Sequence, residues 1–287
     1  MSYTDIKINI LGGPMFYIGN RRFILNILVV IATTISMQQL CMETSIHFDL
    51  DQEKNLKEIY ACTDKLAHRI KEKANELKVT LSDYQTYNVT DYEIERSLRT
   101  LAGLDYNSFY LAKGEQTDSA AVMLPSNLPL YSLVVFGLIP SFACKQVYVR
   151  PNSILQKYNI VSRLYNLLNL ETLFKKVSII NTNHAGFKSY IKNANLVVFT
   201  GNPNNADTLL KEMKEGSVLA LNGSGHNPVV VTASANVDKA VKGVLLLKGF
   251  NGGQDCAGPD AILVHHDIAQ EFIDKFQKRY SSLNWTI

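Results

Sequence analysis

The sequence predicts an α/β protein in which a parallel sheet is flanked by helices, followed by the start of a second α/β domain. From about Ser119 onward, short β-branched runs alternate with helical segments, which is typical of βαβ units. Hydrophobic residues make up 46% of the chain and charged residues 19%, a balance that supports a buried core. The length of 287 residues suits two ordinary domains.

The first 50 residues are predicted to hold short strands and one apolar helix. Glycines and a proline between residues 12 and 19 break the first apolar runs, which favours one or two short strands with tight turns. The apolar segment Phe23 to Met37 follows two arginines, as in a signal anchor. It is shorter than the roughly 20 apolar residues of a spanning helix. We therefore favour a buried helix, or a helix that covers a sheet edge, over a membrane anchor, and a membrane is an unlikely partner.

Two amphipathic helices are predicted next. Apolar positions between Asp51 and Leu77 recur at steps of three and four residues. A second helix is predicted to begin at Thr90, because Glu93 stands three residues later and the pair forms a capping-box pattern. Ile94, Leu98 and Leu101 then mark the buried face of this second helix.

The rest of the chain is predicted to supply the sheet and its helices. We expect helices over about 206–214, 237–247 and 268–283, with Asn236 near the start of the second. In such folds, ligands usually lie at the carboxyl ends of the strands. The predicted strands are Gln146 to Val149, Val177 to Ile180, Leu196 to Phe199, Ser217 to Leu221, Pro228 to Val231 and Ala261 to Val264.

Charge and cysteine content exclude several classes of protein. The net charge is only +3 and the basic residues are scattered, so nucleic acid is not an expected partner. The 4 cysteines include no CxxC pair, which argues against a disulfide framework and a zinc ribbon. We expect separate thiols in a reducing compartment, the cytoplasm, and no metal site.

A lone cysteine in a glycine-rich loop is the first candidate for chemistry. Cys256 follows the run Phe250-Asn251-Gly252-Gly253-Gln254-Asp255. Small neighbours allow close approach of a substrate carbon, and loop N–H groups can stabilise a thiolate and an oxyanion. Alternatively, Cys256 is a small buried hydrophobic residue. That structural role is the one we predict for the other cysteines, Cys41, Cys62 and Cys144.

Two turns add to this hypothesis. Asn127 stands between Pro125 and Pro129, so its amide can be aimed at a negative oxygen, or it is an ordinary turn asparagine. A predicted strand ends in Phe-Thr-Gly at residues 199–201, and a helix follows. A helix N-terminus after a strand presents N–H groups to a phosphate, although the sequence lacks a GxGxxG fingerprint.

Read in order, these pieces resemble the aldehyde dehydrogenase superfamily over roughly residues 50–287. The landmarks are the Pro-x-Asn-x-Pro turn at 125–129, Phe-Thr-Gly at 199–201, a glycine-rich stretch at 223–228 and the Gln-x-Cys loop at 250–256. The resemblance implies a Rossmann-like NAD(P)-binding domain over 51–224, after an N-terminal region at 1–50. Residues 225–287 would then form part of a catalytic domain.

The resemblance also implies a mechanism. Cys256 would attack an aldehyde or acyl carbon, while the Asn127 amide and the Cys256 N–H hold the resulting oxygen. Hydride exchange with NAD or NADP would leave or consume a thioester. The expected substrate is a small aldehyde or acyl thioester.

One departure from the family pattern indicates the subtype. Asn222 stands where thioester-hydrolysing members carry a glutamate base, and an amide is not a useful base near neutral pH. The stretch 223–228 is instead similar to the coenzyme-A-acylating branch, which favours acyl-CoA reduction or its reverse. His226 is either an alternative base or a polar loop residue.

The cofactor site implied by the resemblance comprises Arg150, Ser153, Gly201, Asn202 and Asn222. Arg150 stands at the place of a lysine near the adenosine ribose, and Ser153 replaces a ribose-binding glutamate. Without that glutamate a 2′-phosphate is repelled less, so NADP is as plausible as NAD. Asn202 would contact the pyrophosphate or serve the turn.

The chain stops at Ile287, before much of the family's catalytic domain and its oligomerisation arm. We expect a truncated product or fragment, or a chain completed by another chain or by homo-oligomerisation. The alternative function is a catalytically silent protein that uses the fold as a nucleotide-binding or interaction module.

Overall fold

The structure is a computed structural model that describes residues 6–9, 15–18, 50–106, 111–112, 116–223, 227–255 and 258–282. It divides into two compact units, residues 1–223 and 224–287. The predicted apolar helix at Phe23 to Met37 lies outside the described residues. Within the described part of the chain, no helix is both long and apolar enough to cross a bilayer.

The first unit is built on a sheet of seven strands in the order β1-β2-β7-β6-β3-β4-β5. Strands β3 to β7 run parallel, and the β1–β2 hairpin extends the sheet by antiparallel pairing of β2 with β7. The strands are β1 (Ile6–Asn9), β2 (Met15–Ile18), β3 (Thr117–Met123), β4 (Cys144–Arg150), β5 (Val177–Ile179), β6 (Leu196–Thr200) and β7 (Val218–Asn222).

The order of the parallel strands places a topological switch point at the centre of the sheet. From β3 the chain moves outward through β4 and β5, then returns to the other side of β3 to form β6 and β7. Ligands of open α/β sheets bind outside the carboxyl ends of the strands at such a point. The predicted parallel α/β fold is confirmed, and its switch point lies between the ends of β3 and β6.

Helices cover this sheet and pack beside it. A helical segment after β3 changes from the α-helix α4 (Pro129–Ser132) to a π-helix at Leu133–Leu138 and a 3₁₀ helix at Ile139–Ala143. The other described α-helices of the unit are α1 (Leu50–Glu72), α2 (Ala74–Ser82), α3 (Tyr87–Ala102), α5 (Ser153–Lys157), α6 (Ile160–Leu167), α7 (Leu170–Leu173), α8 (His184–Asn193) and α9 (Pro203–Glu212).

The N-terminal helices differ from the prediction in two ways. The single helix expected from Asp51 to Leu77 is two helices, α1 and α2, which are separated at Lys73. The capping box predicted at Thr90 and Glu93 is wrong, because α3 begins four residues earlier with Thr86 at its N-cap. The Thr90 hydroxyl instead donates to a backbone carbonyl within α3, and Glu93 is buried in the interior of the unit.

The core of the first unit lies between the sheet and its helices. Ala121 and Val197 of adjacent strands are fully buried against Phe187 and Ile191 of α8. The Phe187 ring stacks on Tyr190 with centroids 5.2 Å apart. Burial on both faces explains why β6 and β7 are nearly continuous apolar runs rather than alternating ones.

The second unit contains the parallel pair β8 (Pro228–Val231) and β9 (Ala261–Val264), with helices α10 (Val237–Gly249) and α11 (His266–Ser281). The Asn236 side chain accepts the Lys239 N–H at 3.0 Å and so caps α10, as its position in the sequence predicts. Val241, Val244 and Phe272 form the buried centre of this unit.

Candidate functional site

The carboxyl ends of four strands lie in one row across the sheet. Arg150 of β4 pairs with Met123 of β3, Met123 with Phe199 of β6, and Phe199 with Leu221 of β7. The next pair along β6 and β7 is Thr200 with Asn222. Because the predicted site residues of the first unit follow these strand ends, the sheet brings them to one edge.

Asn127 lies in the turn that follows β3, the strand on one side of the switch point. The turn leaves the sheet after Leu124, whose N–H donates to the Arg150 carbonyl at 3.0 Å. Leu128 then adopts a left-handed conformation with φ 46° and ψ 63°. The Ser132 hydroxyl donates to the Asn127 carbonyl at 3.2 Å, and the Ser132 N–H donates to the Leu128 carbonyl at 2.8 Å. The turn is thus tied to the helical segment that follows it.

The Gly201 turn follows β6 on the other side of the switch point. A Cβ atom at Gly201 would lie 2.7 Å from the Phe199 ring, so a side chain there requires that ring to move. Asn202 is the N-cap of α9, and its side chain accepts the Asn204 N–H at 2.9 Å. Pro203 occupies the first helical position, where its missing N–H costs nothing. The Asn202 side-chain oxygen therefore serves the helix cap in this structure.

Asn222 ends β7 directly beside the Gly201 turn. Its carbonyl accepts the Gly201 N–H at 3.0 Å, and its side-chain amide donates to the Thr200 hydroxyl at 3.3 Å. The Asn222 side chain is half-buried. An amide held in this way offers no proton acceptor of useful strength.

Arg150 and Ser153 lie on the far side of β3 from the Gly201 turn. The Arg150 Nε donates to the Thr182 carbonyl at 2.9 Å, and partial burial lowers the pKa of this guanidinium from its usual value. Ser153 is exposed at the first position of α5, where the Asn152 side chain caps the helix. Four of the five predicted cofactor residues therefore lie at strand ends or in the turns beside them, and Ser153 begins the helix after β4.

Glu93 is a residue of this region whose role sequence reasoning missed. It is fully buried on α3, and its carboxylate accepts the backbone N–H of Tyr131 at 3.0 Å. Desolvation raises the pKa of Glu93 to about 7, while hydrogen bonds and nearby Arg96 oppose the rise. The sequence signal available was a glutamate beside Ile94 on the helix face that also carries Val89 and Leu101.

Two of the cysteines, Cys62 and Cys144, lie within the described residues, and both are free thiols. Burial raises the pKa of Cys62 to about 11 and that of Cys144 to about 12, so both thiols stay protonated near neutral pH. The Cys62 thiol also donates to the Leu173 carbonyl at 3.4 Å. These features fit the structural role predicted for both. Cys256, Cys41 and the alternative base His226 lie outside the described residues.

Within the part of the chain that the structure describes, His265, His266 and Asp267 are the one group of potential ligand side chains close enough to share a cation. All three are exposed at the start of α11. The His265 Nδ1 accepts the Asp267 N–H at 3.3 Å, so the arrangement is accounted for by the cap of that helix.

Comparison with known proteins supports the resemblance described above. The Aldehyde dehydrogenase family profile matches residues 188–286. A lactaldehyde dehydrogenase from Methanococcus aeolicus is 25% identical over 190 residues, which cover 60% of this chain and 38% of that protein. The chain thus spans well under two thirds of this curated relative.

Solved structures share the fold. The structure of glyceraldehyde-3-phosphate dehydrogenase from Methanocaldococcus jannaschii, complexed with NADP, aligns with 84% of this chain and 62% of that enzyme's chain. The TM-score is 0.68 and the sequence identity is 20%. The structure of betaine aldehyde dehydrogenase from Staphylococcus aureus, complexed with NAD⁺, aligns with 81% of this chain and 49% of that enzyme's chain. The TM-score is 0.68 and the sequence identity is 18%. Residues 188–286 therefore match the aldehyde dehydrogenase family profile, and the chain is similar in fold to solved aldehyde dehydrogenases.

Proposed function

We propose that this chain is an NAD(P)-dependent oxidoreductase that acts on an aldehyde or acyl group through a thioester on Cys256. The observation that carries the proposal is the arrangement at the switch point. The Asn127 turn and the Gly201 turn leave the neighbouring strands β3 and β6 at the same edge of the sheet. The family match includes Cys256 within its residues 188–286.

The residues at the sheet edge fit a nicotinamide dinucleotide. Gly201 keeps side-chain atoms away from the turn before α9, and the N-terminus of that helix supplies a positive dipole end for a pyrophosphate. Arg150 ends β4 next to α5, where a guanidinium can pair with a ribose 2′-phosphate. The absence of an acid at Ser153 removes a repulsive charge. NADP and NAD both suit this site, and related structures contain one or the other.

The chain's own residues carry the bond-making steps. The Cys256 thiolate adds to the carbonyl carbon of an aldehyde, so a C–S bond forms and the carbonyl π electrons move to oxygen. The Asn127 side-chain N–H donates to that oxygen and stabilises its charge. A bound NAD(P) would supply the acceptor for the hydride that leaves the same carbon. The re-formed C=O bond then leaves an acyl group on the Cys256 sulfur.

Asn222 determines how the acyl group leaves. Because its amide donates to Thr200 and has no basic atom, it does not activate water against the thioester. We therefore propose that a thiol such as coenzyme A takes the acyl group, and that the reverse reaction reduces an acyl-CoA to an aldehyde. In that direction Cys256 displaces the coenzyme A thiolate before hydride arrives.

The experiment measures aldehyde oxidation and acyl-CoA reduction by the purified chain. Lactaldehyde, glyceraldehyde 3-phosphate and betaine aldehyde, which the names of the compared proteins suggest, are each mixed with NAD⁺ or NADP⁺, with and without coenzyme A. Acetyl-CoA with NADH or NADPH tests the reverse. We expect sustained turnover only with the coenzyme A thiol, and none in Cys256→Ala.

A silent nucleotide-binding module is the second candidate, favoured by the absence of a base at Asn222. Fluorescence titration with NADH and NADPH separates it from the first. Cofactor binding without any turnover in either direction would support the silent module and contradict the enzyme.

A further inference from the structure

Glu93 is a fully buried carboxyl group that the proposed mechanism does not use. One of its oxygens accepts the Tyr131 N–H at 3.0 Å, and the other accepts a short hydrogen bond from the Gln85 side-chain amide. The backbone N–H of Leu130 also lies close enough to lower its pKa. The guanidinium of Arg96 lies 4.1 Å from the Tyr131 ring centroid. The carboxyl group therefore faces the beginning of α4 from a different helix.

Helix α4 needs such a partner because its own sequence supplies no cap. The first N–H groups of a helix have no intrahelical acceptor and are usually satisfied by a polar side chain at the N-cap. Here the N-cap is Leu128, which carries no hydrogen-bonding side chain, and Pro129 follows it. Leu130 and Tyr131, whose N–H groups come next, are both buried. Glu93 supplies from α3 the acceptor that a capping residue would supply locally.

The turn that precedes α4 is strained. Leu128 has φ 46°, in the left-handed region that L-amino acids other than glycine rarely adopt. Strained backbone persists only where surrounding contacts hold it. The contacts on the helical side of this turn include the two hydrogen bonds of Ser132 and the hydrogen bond from the Tyr131 N–H to Glu93. Asn127 immediately precedes Leu128.

A buried carboxyl group is a poor choice for stability alone. Its desolvation is costly, and apolar residues of similar size often stabilise a protein as well or better. What the Glu93 carboxyl group provides instead is a hydrogen bond of fixed direction to the Tyr131 N–H, just after the Asn127 turn.

We propose that Glu93 is a positioning residue: it caps α4 from α3 and thereby holds the Asn127 amide in its working orientation. The effect on catalysis rests on the proposed function, whereas the effect on the turn does not. A displacement of about 1 Å in a catalytic group can cost about 10²-fold in rate. The Glu93 carboxyl therefore contributes to turnover without contacting the substrate.

Three substitutions test the role of the acceptor. Glu93→Met removes it at nearly constant size. Glu93→Gln keeps an oxygen for the Tyr131 N–H, and its NH₂ can donate to the Gln85 Oε1, which finds no hydrogen-bond partner among the described residues. Glu93→Asp, for use if Glu93→Met does not fold, withdraws the carboxyl by about 1.5 Å. Ser97→Ala is the matched control, since it removes another fully buried polar group from α3.

The first measurement is amide hydrogen exchange, which needs no enzymatic activity. We expect exchange at Leu130 and Tyr131 to be at least tenfold faster in Glu93→Met than in the wild type. Glu93→Gln and Ser97→Ala should stay within threefold of the wild type. Exchange at Val147, whose N–H bonds to the Lys176 carbonyl in the sheet, reports general destabilisation. Unchanged exchange at Tyr131 in Glu93→Met would overturn the proposed anchorage.

The second measurement is a double-mutant cycle on turnover with the substrates named above. We expect Glu93→Met to lower kcat by about 10- to 100-fold with the KM for the nucleotide within twofold, and Glu93→Gln to restore most of the loss. The Asn127→Ala/Glu93→Met pair should be no slower than Asn127→Ala alone, because Glu93 acts through Asn127. Additive losses, or an unchanged kcat in Glu93→Met, would overturn the positioning role. A wild type inactive in both directions would instead contradict the proposed function, and hydrogen exchange would still decide whether Glu93 holds the turn.

Discussion

The carboxyl group of Glu93 and the backbone N–H of Tyr131 form a 3.0 Å hydrogen bond between residues 38 positions apart in the sequence. This bond joins α3 to the start of α4, and so to the turn that carries Asn127. It is a long-range contact on which both stability and catalysis depend in our account.

The buried carboxyl predicts a pH-dependent stability. The Glu93 pKa is raised from 4.5 to about 7, mainly by desolvation, and Arg96 is the charged residue that opposes the shift. Between pH 4.5 and about pH 7, the Glu93 carboxyl group is ionised in the unfolded chain but protonated in the folded chain. The free energy of unfolding therefore falls as pH rises through this window, by about 3 kcal/mol in total.

Urea unfolding at the two ends of this window tests the contribution of Glu93. Glu93→Gln should lack that contribution to the pH dependence. The control Glu95→Gln changes a neighbouring exposed carboxyl, which pairs with Arg99, and should retain the wild-type slope. Equal slopes in the wild type and in Glu93→Gln would show that Glu93 does not titrate in this range.

Asn127 is predicted to stabilise the oxygen of the covalent intermediate. Asn127→Ala should lower kcat by about 10²- to 10³-fold, the usual cost of one oxyanion donor. Asn195→Ala is a suitable control, because Asn195 bonds to Ser119 N–H at the opposite, amino-terminal edge of the sheet. Steady-state kinetics of both variants check this. Comparable rates in the wild type and in Asn127→Ala would remove Asn127 from the mechanism.

Ser153 is predicted to permit NADP binding. Ser153→Glu would place a negative charge at the start of α5, close in sequence to Arg150, and should weaken NADPH binding by about tenfold or more through repulsion of the 2′-phosphate. NADH binding should change less. Ser153→Gln has the same size without the charge and serves as the control. Fluorescence titrations measure both affinities. Equal effects of the two substitutions would mean that charge at this position does not select the nucleotide.

The described thiols are predicted to be unreactive. Because the Cys62 pKa is about 11 and the Cys144 pKa about 12, only a minute fraction of either is thiolate near neutral pH. Iodoacetamide should therefore modify Cys256 and abolish turnover while leaving Cys62 and Cys144 intact in the folded protein. Peptide mass spectrometry of the wild type and of Cys256→Ala, folded and in urea, checks this. Loss of activity with label only on Cys62 or Cys144 would contradict it.

Most of the sheet could be predicted from the sequence because its strands contain β-branched runs. The exception is β3, the middle one of the five parallel strands, which is not among the predicted strands. Its residues Asp118, Ser119, Ala120 and Ala121 have low strand propensity. Complete burial of Ala120 and Ala121 between neighbouring strands outweighs that propensity. Tight packing inside a sheet requires small side chains, but a run of small residues in the sequence does not by itself indicate that packing.

The position of the predicted site residues of the first unit, near the carboxyl ends of the strands, could be predicted because each of them follows a strand or a turn that is recognisable in the sequence. Glu93 could not be identified in the same way. Its pattern with Thr90 indicated a local helix cap, whereas its partner is the N–H of Tyr131 on another helix. A short-range pattern cannot distinguish a cap within one helix from a cap given to another.

The most direct test of the account is a single turnover in the absence of coenzyme A. The chain is mixed with NADP⁺ and an aldehyde substrate, then examined by absorbance and by intact and peptide mass. We predict one equivalent of NADPH for each chain and an acyl adduct on Cys256 that persists in water and is discharged by coenzyme A. Nucleotide binding with neither NADPH nor an adduct on Cys256 would contradict the central claim.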